Sequence, residues 1–188
     1  MGRLKKAAEG AALATETRAQ LTVTFSVREP VPNDALNTVL QRELDRVGPP
    51  KFDDADQRFA KAMQKELSFE QQGLATAVQP FAQKNGGTAS SDIGEVSAVV
   101  PLAELNIATR PLGTAAHHWA QTACAAHPLG YKGMAVAAKV LAAGTIDVLT
   151  DPAVVKAAKD EFVVQTKGKP YVSPLAPGAK PVPPAVSH

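Results

Sequence analysis

Cysteine is almost missing from this chain. Cys124 is the only one in 188 residues, so no internal disulfide can form, and no CxxC pair occurs. A reducing, cytoplasmic setting is the expectation that follows. A charge excess is missing as well: 20 basic residues face 18 acidic ones, for a net charge of +2. Such a balance gives no electrostatic case for nucleic acid or an anionic membrane surface as a partner. The basic start, MGRLKK, does not run on into an apolar stretch, because Glu9, Glu16 and Arg18 interrupt it, and a signal peptide is not expected. Lys6 stands where an N-myristoylation signal needs Ser or Thr. No stretch reads as long and apolar enough to span a bilayer. HExxH is absent, and Gly86-Gly87 is not a GxGxxG phosphate cradle.

What is present reads as a globular chain, 45% hydrophobic and 20% charged. Residues 3–15 are rich in Ala, Leu and Lys and predict a helix weakened at Gly10. Leu21, Val23, Phe25 and Val27 then alternate with Thr22, Thr24 and Ser26, the period of a half-buried strand. Asn33 or Asp34 caps a second helix with the stripe Leu36, Val39, Leu40, Leu44 and Val47, ended by Gly48 and two prolines. A third helix starts in an acidic turn and buries Phe59, Met63 and Leu67. Residues 68–89 hold room for a short helix and a Gly86-Gly87 turn, and Val96 to Val100 and Leu105 to Thr109 read as short strands. Residues 132–149 are apolar nearly all round, the pattern of a helix buried between layers. Asp151 and Pro152 then open a helix with Val154, Ala158 and Phe162 on one face. A proline-dominated tail closes the chain. Strands mixed with helices predict an α/β fold, helices packed on a mixed sheet. Three short strands make a thin sheet for so many helices, which predicts completion by chain not present here.

The chemistry-bearing residues crowd into GTAAHHWAQTACAAHPLGYKGM, residues 113–134, with three of the four histidines, the cysteine and the only tryptophan. Imidazole binds metal, but neighbouring side chains diverge, so His117 and His118 do not read as ligands of one ion. Metal ligation, packing and plain surface exposure all remain open for them and for His127. Cys124 with a nearby histidine is a conceivable nucleophile and base, although a lone cysteine more often packs as a small hydrophobe. Trp119 reads as a core or interface anchor. Asp92 and Glu95, in SSDIGEVS, are candidate paired carboxylates or ordinary turn residues.

The order of the pieces is more telling than any one of them. AAEGAALAT, a strand, PNDALNTVLQRELDRVGPPKFDDADQRFAKAMQKEL, SSDIGEVSAVVP, GTAAHHW, LGYKGMAVAAKVLAAGTIDVLTDPAVVKAAKDEF and GKPYVSPL follow one another. From about Leu4 to Leu175 this series resembles the C-terminal part of the aminoacylase and carboxypeptidase-like (M-twenty) metallopeptidases. The resemblance implies a two-domain amidohydrolase: a catalytic α/β domain holding one or two divalent ions, and an inserted lid that mediates dimerisation. It places residues 1–29 at the end of the lid, residues 30–175 in the second half of the catalytic domain, and residues 176–188 in the Pro-rich tail.

On the same resemblance, a late metal-ligand histidine in a G-T-x-x-H-S-W-like pattern falls at His117, with His118 in place of the serine. Asp92 and Glu95 fall in an active-site loop, facing the substrate or supporting the ligands, and His118 is a lesser candidate for the same role. The family's H-K-G-M stands here as Tyr131, Lys132, Gly133 and Met134, without its histidine, and His127 matches no motif. The implied cofactor is a divalent metal, zinc or manganese, and the implied reaction is cleavage of the amide of N-acyl amino acids such as p-aminobenzoyl-glutamate. In such chemistry a metal-bound water attacks the carbonyl and a carboxylate takes its proton. The family's early H-x-D ligands and Glu-Glu pair have no counterpart in this sequence. The expectation is therefore a fragment with no catalytic residues of its own, holding metal poorly alone, and completed by a homodimer partner or a complementary N-terminal segment or subunit. The competing expectation is a non-catalytic remnant or partner-binding subunit.

Overall fold

The computed structural model describes residues 1–23, 27–81, 91–173, 175 and 178. Seven helices account for the regular structure of these residues: α1 (Gly2–Ala14), α2 (Asp34–Val47), α3 (Asp54–Glu66), α4 (Ile93–Ser97), α5 (Trp119–Ala125), α6 (Pro128–Thr150) and α7 (Pro152–Thr166). Most begin where capping chemistry says they should. Asn33 is extended, and its side chain accepts from the Leu36 amide. Asp53 and Asp56 form a reciprocal capping box at α3. Asp151 caps α7 ahead of Pro152. Gly48, at φ 80°, takes α2 out of its helical course.

The start of α2 is also capped from outside. Both carboxylate oxygens of Glu161, on α7, accept from the Asp34 and Ala35 amides at 2.8 Å. Asn33 donates to the Ala158 carbonyl at 2.8 Å. The first-turn amides of α2 are thus satisfied against α7, where the helix dipole also favours a negative charge.

α6 is the spine. Its first turn enters one core cluster, where Leu129 meets Ala60 and Met63 of α3, Ala120 and Cys124 of α5, and Leu74. Phe52, Phe59 and Leu67 close that cluster from outside. Farther along, Val140 is buried where α6 packs on α2 and α7, which contribute Val39 and Ala158. Gly133 lets the chain at Ala108 and Thr109 lie against the helix: a Cβ there would come within 2.7 Å of the Ala108 carbonyl oxygen. Arg42 of α2 reaches Asp147 at 2.8 Å, and Lys132 bridges α6 to Asp53 and Asp56 at the start of α3.

The expected α/β fold is not what forms. No strand occurs among the described residues, and the architecture they define is all-helical. A strand needs a neighbour for its backbone amides, and none of the three segments finds one among those residues. Leu105 to Thr109 runs irregularly along α6 instead. Val96 and Ser97 are wound into α4, where Ser97 accepts from the Val31 amide and donates to the Gly94 carbonyl. Gly94 is needed there, since a Cβ would fall 1.9 Å from the Arg28 carbonyl oxygen. Around the alternating segment, residues 21–23 and 27–30 have no regular structure, and Thr24, Phe25 and Ser26 lie outside the described residues. Residues 68–81 form no helix, while the Gly86-Gly87 turn and nearly all of the Pro-rich tail also lie outside.

Two further expectations are corrected by α6. It is long and apolar enough to cross a membrane by length and composition. It is also not buried between layers: only 17% of its most apolar window is buried, and Met134, Leu141, Ile146 and Leu149 are exposed. The all-round apolar pattern signals one face packed in the helical cluster and a second apolar face left uncovered.

Two stability measurements check these contacts. Replacing Glu161 by Ala strands two amides of α2 and lowers the unfolding free energy by about 2 kcal/mol in urea titration; a loss below about 0.5 kcal/mol would mean water caps α2 equally well. The hydrogen bond from Lys132 holds the Asp53 carboxyl down from 3.8 to about 2. A depressed carboxyl adds stability above its unfolded pKa and loses it as pH falls through the folded one. Stability therefore drops as pH falls from 3.8 towards 2, and Lys132→Met reduces that part of the acid limb, leaving the share held by the Asp56 amide.

Candidate functional site

The residues around His117 are placed from α3. Gln64 is fully buried. Its amide nitrogen donates to the Leu112 carbonyl at 2.8 Å and to the Gly73 carbonyl at 3.4 Å, and its oxygen accepts from the Gly73 amide at 2.8 Å. Leu112 in turn donates to the Gly73 carbonyl at 2.9 Å. The loop leaving α3 and the loop entering α5 are thereby joined through one side chain and one backbone hydrogen bond. Gly113, at φ 81°, turns the chain, and Thr114 follows with its hydroxyl oxygen buried and without a partner among the described residues.

His117 sits exposed at φ 57°, a left-handed conformation that costs a residue with a Cβ on the order of 1 kcal/mol. His118 is extended and caps α5, its Nδ1 accepting from the Ala120 amide at 3.2 Å. Trp119 then projects into solvent at 61% exposure, its ring tilted against His118 at 5.6 Å between centroids. Of the two positions expected for Trp119, core or interface, the core one is not taken, because the first turn of α5 buries Ala120 instead. His117, His118, Trp119, Gln121, Thr122 and Ala125 line an open depression of about 510 Å³. Arg110 holds Gln121 at its side with a 2.8 Å hydrogen bond.

The other named residues lie elsewhere. Glu95, on α4, accepts from Arg28 Nε at 3.3 Å and from the Tyr171 hydroxyl at 2.8 Å. Arg28 also donates to the Val172 carbonyl at 2.8 Å and lies over the Tyr171 ring. Glu95 therefore ties the chain before α2 to the segment after α7. Asp92 is exposed ahead of α4 and accepts from Ser91. Neither carboxylate lines the depression at His117. His127 caps α6 through Nδ1 and stacks on Phe59 at 3.9 Å. Cys124 is buried 3.6 Å from the Met63 sulfur, and burial pushes its thiol up, away from the thiolate a nucleophile needs. Sequence reasoning missed Gln64 and Arg28 altogether, since neither stands in a motif. Lys132 carried a signal in the YKGM stretch, but its partners did not.

A catalytic divalent ion takes about three protein ligands. Among the described residues no three His, Cys, Asp or Glu side chains come together, and one nitrogen of His118 is already engaged. The donors described here do not fit a metal ion by themselves; His117 offers one nitrogen.

Comparison with known proteins finds a relative among the hydrolases. It is the B subunit of p-aminobenzoyl-glutamate hydrolase from Escherichia coli strain K12, to which this chain is 28% identical over 207 aligned positions and is related. The alignment covers 96% of this chain and 43% of that protein, so the chain spans less than half the length of the relative. No protein-family profile matches the chain, and no solved structure matches it.

The Gln64 hub has a direct test. Gln64→Leu removes its bonds to both loops and lowers stability by about 2–3 kcal/mol, and amide exchange at Gly73 accelerates because its acceptor is gone. Unchanged exchange at Gly73 would show that the Leu112–Gly73 backbone bond holds the two loops without Gln64.

Proposed function

We propose that this chain is the His117-bearing part of a metal-dependent amidohydrolase that cleaves N-acyl amino acids of the p-aminobenzoyl-glutamate type in the cytoplasm. In this reading it acts together with a complementary segment or subunit. The observation that carries the reading is the relationship, over nearly the whole chain, to a protein named as a hydrolase subunit. The site geometry supports it. An exposed histidine in a left-handed conformation lines a depression, on a loop whose start at Leu112 is held by a buried glutamine.

In this proposal His117 is the chain's one donor to a divalent ion, zinc or manganese, whose remaining ligands and general base come from the complementary part. The uncovered faces of α6 and α7, with Leu141, Leu149, Val163 and Val164 exposed, are consistent with a chain that packs against more protein. The second reading, a non-catalytic partner-binding subunit, draws on the same faces.

Co-expression with a complementary segment carrying H-x-D and Glu-Glu motifs distinguishes the two. The expected outcome is hydrolysis of p-aminobenzoyl-glutamate by the combination and none by this chain alone, with kcat/KM falling about a hundredfold or more in His117→Ala. Full activity in that variant, or a stable assembly with no hydrolysis at all, would favour the non-catalytic subunit. Stoichiometric zinc on the isolated chain would show that the metal needs no outside ligands.

A further inference from the structure

We propose that Trp119 is the platform on which the aromatic acyl group of the substrate stacks, so that this residue selects aroyl over alkanoyl amides. The inference rests on the hydrolase reading for its choice of ligand. It deepens that reading by naming the part of the site that recognises the acyl side.

The placement of Trp119 is unusual for its chemistry. It is the only tryptophan in the chain, and an indole left 61% exposed forgoes the large burial that such a side chain normally provides. No core contact explains its position, since α5 turns Ala120 and Cys124 inward. The ring is nonetheless not isolated. His118 lies 5.6 Å away at a 39° tilt, within the range of aromatic pairs, and is held there by its hydrogen bond to the Ala120 amide. The two rings line the same depression as His117, the residue assigned to the reacting end. The same lining includes polar groups: Thr122 offers a hydroxyl and Gln121 an amide whose oxygen is fixed by Arg110. Two rings and a few hydrogen-bonding groups in an open depression can take one face of a small planar ligand. An alkanoyl group would find no equivalent of the ring contact.

Because Trp119 is the sole indole, its fluorescence reports this site alone. The full chain is titrated with N-benzoyl-glutamate and with N-acetyl-glutamate, with excitation at the red edge of indole absorption. The expected result is a saturable change with the benzoyl compound and binding about fivefold weaker for the acetyl compound. By ligand-detected NMR, Trp119→Ala brings benzoyl binding down to the acetyl level, while Trp119→Phe keeps most of the preference. Equal affinity for the two ligands, no binding of either, or a preference that survives Trp119→Ala would overturn the proposal. So would a fluorescence change seen only on adding the complementary segment, which would assign Trp119 to a protein contact. The two readings fail separately. Loss of the benzoyl preference while a reconstituted assembly still hydrolyses its substrate removes the platform alone. A benzoyl preference in a chain that no complementary segment makes active removes the hydrolase reading and leaves the platform.

Discussion

Four of the helices, α2, α3, α5 and α7, lean on one face of α6. Leu129 anchors its start among α3 and α5, Val140 anchors its middle against α2 and α7, and Gly133 between them admits the backbone of Ala108 and Thr109. A side chain at Gly133 would push that segment away, and Arg110, which fixes Gln121 beside the candidate site, is next in line along it. The helix that looks most featureless in composition therefore sets the distances among α2, α3, α5 and α7. Its second face, equally apolar, is uncovered. That asymmetry links the packing of the chain to the proposal that it works as one part of a larger assembly.

Polar side chains do much of the joining that a sheet would otherwise do. Glu161 and Asn33 connect α2 to α7 through backbone amides and a carbonyl. Gln64 connects two loops in the same way. Glu95, Arg28 and Tyr171 connect segments that are distant in sequence. Each tie satisfies backbone or charged groups that would otherwise be stranded, and leaving such a group unpaired costs about 1–3 kcal/mol. Glu43 follows the same rule: it is buried, and Arg46 meets its carboxylate at 2.7 Å.

The candidate site gathers the features of a rim rather than of a finished centre. A histidine at positive φ and an exposed indole share one depression, and the carboxylates expected nearby lie elsewhere. Two chemical tasks are separated along three consecutive residues. His117 faces the reacting end in the proposed reading, His118 commits one nitrogen to a helix cap, and Trp119 offers a ring face. The alternation follows from the sharp entry into α5, which sends neighbouring side chains in different directions.

The helices were legible in the sequence because their signals are local. Asn33, Asp53 and Asp151 bond to amides two or three residues away, and the stripes of α2, α3 and α7 repeat within a few turns, so each could be read without knowing anything distant. The order of motifs also carried the relationship to the hydrolase relative, and with it the choice of His117. The strands were misread because alternation describes only a willingness to pair, and pairing is decided by a neighbour. Val96 to Val100 and Leu105 to Thr109 have none among the described residues, so Ser97 and Gly133 determine where those segments go. Whether α6 was buried or half-bare, whether Trp119 faced inward or outward, and which partner Glu95 would hold were equally beyond a local reading. Each depends on contacts between residues tens of positions apart, and only the packed chain settles them.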